Sequence, residues 1–201
     1  MIIKVCGLTI KSQIEELDHI NSVNWLGFIF YSKSKRFTTS VTGNIDNSKK
    51  VGVFVNENEK EIRAIARVNK LDILQLHGDE SPELCMILKS DYIIIKAFGI
   101  HESFDFQHLQ SYEGKVDYFL FDTKTIHYGG SGRNFDWSVL EKYTLSIPFL
   151  LSGGLNINSV KEIKSFSHKS FAGIDLNSGF ENEPGDKNCK KIKTFIKVLK
   201  Q

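Results

Sequence analysis

Residues able to do chemistry collect where short apolar runs stop. Cys6 ends the run "IIKVC", Arg36 lies a few residues past "WLGFIF", His77 follows "ILQL", and Asp122 ends "YFLFD". Ser152-Gly153-Gly154 follows "FLL", and Asn177-Ser178-Gly179 follows "FAGIDL". Glycine lets a backbone approach an anion and turn its N–H groups toward it, so these last two stretches suit a phosphate. Arg36 can hold a planar carboxylate through paired N–H groups, which lysine cannot reproduce. Cys6 taken alone reads as a small buried hydrophobe; only its place among the other run ends gives it a further role. Gly129 and Gly130 lie in "YGGSG", which lacks the spacing of a phosphate loop and suits a close-approaching loop able to fold over a ligand.

The runs that place these residues lack strict polar alternation, as expected of strands covered on both faces. Helical patterns lie between most of them, over residues 12–20, 58–69, 81–88, 158–166 and 186–199. Ser81-Pro82-Glu83 supplies an N-cap, a first-turn proline and an acidic residue suited to the helix dipole. The runs end near Cys6, Phe30, Val55, Leu76, Ala97, Asp122, Leu151 and Leu176, about 24 residues apart. Eight strand and helix units are too many for an ordinary doubly wound sheet and predict an α/β fold of the (β/α)8, or TIM, barrel type. Such a barrel builds its active site at the carboxyl ends of its strands, where the residues above fall. The second helix (39–49, with Gly43 and several Asn) and the fifth (103–112) are expected to be short or degenerate. No linker divides residues 1–201, so one domain is expected. Period-two alternation turns Lys4 and Cys6 to the same inward face, where Lys4 either snorkels toward solvent or, if buried, needs a partner, for which Asp175 is the candidate.

Composition narrows the partners. A net charge of +2 over 201 residues gives no basic excess for nucleic acid, and no apolar run has the length of a membrane span. The cysteines at 6, 85 and 189 have neither disulfide-framework nor metal-ligand spacing, which fits a reducing cytoplasm and a site without metal.

Read together, the motifs "KVCG", "GFIFYSKSKRF", "VGVFVN", "QLHGDE", "IKAF", "YGGSGRNFDW", "LSGGL" and "GIDLNSGFENEPGDKN" resemble, in order and over nearly the whole chain, the phosphoribosylanthranilate isomerases of tryptophan biosynthesis. The resemblance implies an aldose-ketose isomerase without cofactor. Its substrate would be a phosphorylated aminosugar, rearranged by general base Cys6 and general acid Asp122. It further implies that Arg36 meets the anthranilate carboxylate and that Gly153, Gly154 and the stretch Asp175, Asn177, Ser178, Gly179 meet phosphate. His77 is expected to touch substrate or orient its loop, and the chain to be a monomer or homodimer. Lys35 departs from the proline common before the arginine. Two other readings stay open: a different phosphosugar enzyme using Lys96 as a Schiff-base lysine, or a phosphate-ligand binding protein without catalysis.

Overall fold

Branched and aromatic side chains fill the eight apolar runs, and in the computed structural model each run is a strand. The structure describes residues 1–123 and 137–201. The strands are β1 (Ile2–Cys6), β2 (Trp25–Ile29), β3 (Lys49–Phe54), β4 (Ile73–Leu76), β5 (Ile93–Ile100), β6 (Tyr118–Thr123), β7 (Phe149–Ser152) and β8 (Phe171–Leu176). All pair in parallel with their sequence neighbours, and β8 pairs with β1 to close the barrel.

Alternation along the strands sorts the side chains into two layers. Trp25, Val51, Ile73, Ile95, Ala97, Leu120 and Leu150 fill the interior. Their neighbours Leu26, Phe28, Leu74, Ile94, Phe119, Phe121 and Leu151 point outward into the layer beneath the helices. Counting on by two from the interior set, His77 and Asp122 face the mouth, as do Cys6 above Lys4 and Asn177 above Asp175. Lys4 and Asp175 are register partners on β1 and β8, and their side chains meet inside the barrel at 2.9 Å.

The covering layer is uneven. Helices α1 (Lys11–Asp18), α2 (Glu59–Asn69), α3 (Pro82–Lys89), α4 (Val160–Ser165) and α5 (Cys189–Lys200) are regular. Asn58, Ser81 and Asn188 cap α2, α3 and α5 by accepting from the backbone N–H three residues on. The second crossover has no helix; its incoming backbone is held by the Asp18 carboxylate, which accepts from the N–H groups of Asp46, Asn47 and Ser48. The fifth is a 3-10 segment, Phe106–Tyr112, as its brevity predicts. Degeneracy extends further than expected, because among the described residues of the sixth crossover the covering element is a 3-10 segment, Trp137–Lys142, with Trp137 packed edge-on against Phe166. The helix expected from residue 186 starts at Cys189 instead. A hairpin of β9 (Glu181–Glu183) and β10 (Asp186–Lys187), turned at Gly185 with φ +91°, takes the preceding residues. Among the described residues no helix is long and apolar enough to cross a membrane.

Two substitutions test this frame. A Cβ on Gly173 would lie 2.1 Å from the Ile2 carbonyl oxygen, so Gly173→Ala should push the closing strands apart and cost about 1–3 kcal/mol or more in chemical denaturation. Lys4→Met strands the buried Asp175 charge and should cost about 3–5 kcal/mol, most of it recovered in Lys4→Met/Asp175→Leu. A double variant no more stable than the single one would show that the pair is not what Lys4 supplies.

Candidate active site

Cys6 is buried at the end of β1, directly above Lys4. A Cβ on the facing residue, Gly27, would lie 2.8 Å from Cys6 Sγ, so glycine there is what leaves the thiol its room. Burial opposes the Lys4 ammonium, but Asp175 and Cys6 outweigh it and hold the lysine above its ordinary pKa. Burial also pushes the Cys6 thiol up, and Lys4 and Lys187 offset only part of that. The cationic neighbours therefore do not make Cys6 a resting thiolate; its resting form is the thiol.

Across the mouth, β4 and β6 bring His77 and Asp122 together, with Nε2 of the imidazole 3.5 Å from the carboxylate. Gln75, two residues earlier on the same inward face, places its Nε2 at 2.9 Å from His77 Nδ1. An amide N–H donating there makes Nδ1 the acceptor and leaves Nε2 to face Asp122. The sequence expectation for His77, to touch substrate or orient its loop, does not include Gln75, whose visible signal is a lone polar residue inside the run "ILQL". His77 and Asp122 both act on the charge of Asp175, which ties this side of the mouth to the Lys4 and Cys6 side.

Arg36 reaches the same mouth from the loop after β2. Its Nε lies 2.8 and 3.0 Å from the two carboxylate oxygens of Glu181, and its Nη2 lies 2.5 Å from Oε2. The stem crosses Gly7, where a Cβ would stand 2.5 Å from Arg36 Cδ; Gly7 also has φ +77°. Lys187 Nζ donates to Glu181 at 2.6 Å and to the Asn177 side-chain oxygen at 2.8 Å. Although burial opposes it, hydrogen bonds from Arg36 and Lys187 hold the Glu181 carboxyl down to about 2. Glu181 and Lys187 had no place in the sequence reading.

The loops assigned to phosphate stand side by side. Gly153 and Gly154 follow β7 with φ +87° and +66°, a consecutive left-handed pair that side chains resist. Gly179, after β8, packs so closely on the Leu155 carbonyl that a Cβ would fall 2.0 Å from it. Ser178 is exposed beside it. Asp175 differs from its neighbours: its carboxylate is buried and committed to Lys4, and a carboxylate repels phosphate, so this residue is a charge partner rather than a phosphate contact. Gly129 and Gly130 lie outside the described residues.

Lys96 is not in the mouth. On β5 it alternates with Ala97 and points outward, where its ammonium donates to the carbonyls of Leu76, Gly78 and Ala97 and pairs with Glu80 at 3.3 Å. A sealed, fully partnered lysine on the outside of the wall has no route to a carbonyl substrate, so the Schiff-base reading lacks its lysine. No group of three or more residues suited to hold a metal ion occurs among the described residues.

The chain is similar to known proteins over nearly its whole length. A relative from Parabacteroides distasonis called N-(5'-phosphoribosyl)anthranilate isomerase is 50% identical over 207 residues, covering 99% of this chain and 93% of that protein. The crystal structure of phosphoribosyl anthranilate isomerase from Thermotoga maritima superposes with a TM-score of 0.82 at 33% identity, covering 100% of this chain and 99% of that one. Another, at TM-score 0.81 and 30% identity with coverage of 100% and 99%, is a phosphoribosyl anthranilate isomerase in complex with reduced 1-(o-carboxyphenylamino)-1-deoxyribulose 5-phosphate. The family model described as N-(5'phosphoribosyl)anthranilate (PRA) isomerase matches residues 3–198, and the chain belongs to that family of isomerases.

Proposed function

We propose that this chain converts N-(5-phosphoribosyl)anthranilate to 1-(2-carboxyphenylamino)-1-deoxyribulose 5-phosphate, with Asp122 as general acid and Cys6 as general base. The observation that carries the reading is the meeting of Cys6, Asp122 and Arg36 at one barrel mouth with the two glycine loops after β7 and β8. A protonated Asp122 gives its proton to the furanose ring oxygen as the bond from that oxygen to C1 breaks, and the nitrogen lone pair forms the C1 iminium. The Cys6 thiolate then takes the proton from C2. The electron pair of that C–H bond forms the C1–C2 double bond of an enolamine and neutralises the nitrogen. Protonation at C1 and loss of the hydroxyl proton at C2 yield the ketone, so the reaction is an internal redox exchange between C1 and C2 that needs no cofactor.

The environment suits each step. Lys4 and Lys187 place positive charge beside the sulfur, and the iminium adds more at the moment the proton leaves carbon. His77 sits beside Asp122 and can hydrogen-bond the carboxyl or a sugar hydroxyl. Gly153, Gly154, Ser178 and Gly179 take the phosphate, and Arg36 the anthranilate carboxylate. Gly129 and Gly130 remain assigned to closure over the ligand, in the cytoplasmic pathway to tryptophan.

Cys6→Ala and Asp122→Ala should each lower kcat by about two to four orders of magnitude while circular dichroism and melting stay near wild type. Variants that bind a product analogue and turn over at the wild-type rate would refute both assignments. Restored growth of an isomerase-deficient tryptophan auxotroph tests the substrate directly. Because the reaction needs a protonated acid together with a thiolate, kcat/KM should follow a bell, and burial of the thiol should carry its alkaline limb above the ordinary thiol range. An alkaline limb below that range would contradict a thiol raised by burial.

A further inference from the structure

A carboxylate reader is usually an arginine whose guanidinium is free, yet Arg36 is already gripped by Glu181. The grip is on one edge. Nε and Nη2 face the Glu181 oxygens, so both Nη1 hydrogens and one on Nη2 are left for a second planar acceptor. Exposure divides the same way: the Arg36 side chain keeps 20% of its surface, while Glu181 keeps 4% and Lys187 none. An Arg and Glu pair alone would be neutral and a poor anion site. Lys187, sealed against the far side of Glu181, leaves the trio with one net positive charge and only Arg36 in reach of a ligand. The hairpin that carries both residues is itself pinned. The backbone N–H of Gly185 donates to Glu181, that of Lys187 donates to the Gln13 side chain, and the Thr9 hydroxyl donates to the Gly185 carbonyl.

We propose that Glu181 is the positioning residue for Arg36. It fixes one edge of the guanidinium so that the other meets the aryl carboxylate of the substrate, while Lys187 restores the positive charge that Glu181 would cancel. This rests on the reading of Arg36 as the carboxylate contact. It assigns Glu181, in the hairpin between β8 and α5, to discrimination among arylamines.

The test compares two substrates of the whole chain, N-(5-phosphoribosyl)anthranilate and N-(5-phosphoribosyl)aniline, which lacks the carboxylate. Glu181→Gln should raise KM for the first by about 10- to 100-fold and leave KM for the second within about twofold. For both substrates kcat should stay within a few fold. Glu181→Gln/Lys187→Gln keeps the net charge of the trio and should show the same selective rise in KM, with kcat lowered equally for both substrates because Lys187 also stands beside the Cys6 sulfur, which separates positioning from charge and serves if the single variant folds poorly. A rise shared equally by both substrates, or by neither, overturns the proposal. Wild-type protein that does not prefer the carboxylated substrate, together with an unchanged ratio in Arg36→Gln, overturns the Arg36 reading instead; no measurable turnover of either substrate would refute the isomerase mechanism itself.

Discussion

Charge inside a closed barrel must be compensated inside it, and the Lys4 and Asp175 pair is where this chain meets that constraint. The two residues sit at the seam where the eighth strand returns to the first, in register and 2.9 Å apart. Neither charge could be buried alone; the cost of removing an ion from water is repaid only by a close, well-aligned partner. Because the pair is satisfied, the layer above it can hold Cys6 against a fixed ammonium rather than against water. The compensation continues outward through Lys187 to Glu181 and Arg36, so charges alternate along this side of the mouth and the arginine is the partly exposed cation of that trio.

This arrangement separates basicity from availability. A thiol raised by burial is scarce as thiolate but a stronger proton acceptor once formed, which suits removal of a proton from carbon beside a transient iminium. The two lysines near the sulfur limit the cost of that thiolate without abolishing it. On the opposite wall Gln75 and His77 form an oriented pair against Asp122, so acid and base are supported by separate sets of groups on separate strands.

Much of the frame was legible in the sequence because a strand buried on both faces must be written as an apolar run. The ends of those runs named Cys6, His77, Asp122 and the two glycine stretches, and strict alternation along β1 and β8 brought Lys4 to Asp175. What escaped was written in polar residues without periodicity. Glu181 and Lys187 lie in "FENEPGDKN", which looks like solvated loop; the Pro184-Gly185 turn between two polar stretches was the available sign of a hairpin. The 3-10 form of Trp137–Lys142 was not legible either, since a residue run such as "WSVLEKY" carries the same side chains whether it coils as a 3-10 segment or a longer helix. That Gly27 leaves room for the Cys6 thiol could be known only once the register of β1 and β2 placed them face to face.

The central claim is spatial: a sulfur and a carboxyl from distant parts of the chain address one sugar from two sides. A crystal structure with reduced 1-(o-carboxyphenylamino)-1-deoxyribulose 5-phosphate measures it directly. The account predicts Sγ of Cys6 facing C2 of the ligand, the Asp122 carboxyl within hydrogen-bond reach (about 2.6–3.2 Å) of the oxygen on C4, and the phosphate at the glycine loops. A ligand that contacts only one of the two side chains, with the other opening onto a different cavity, would contradict it.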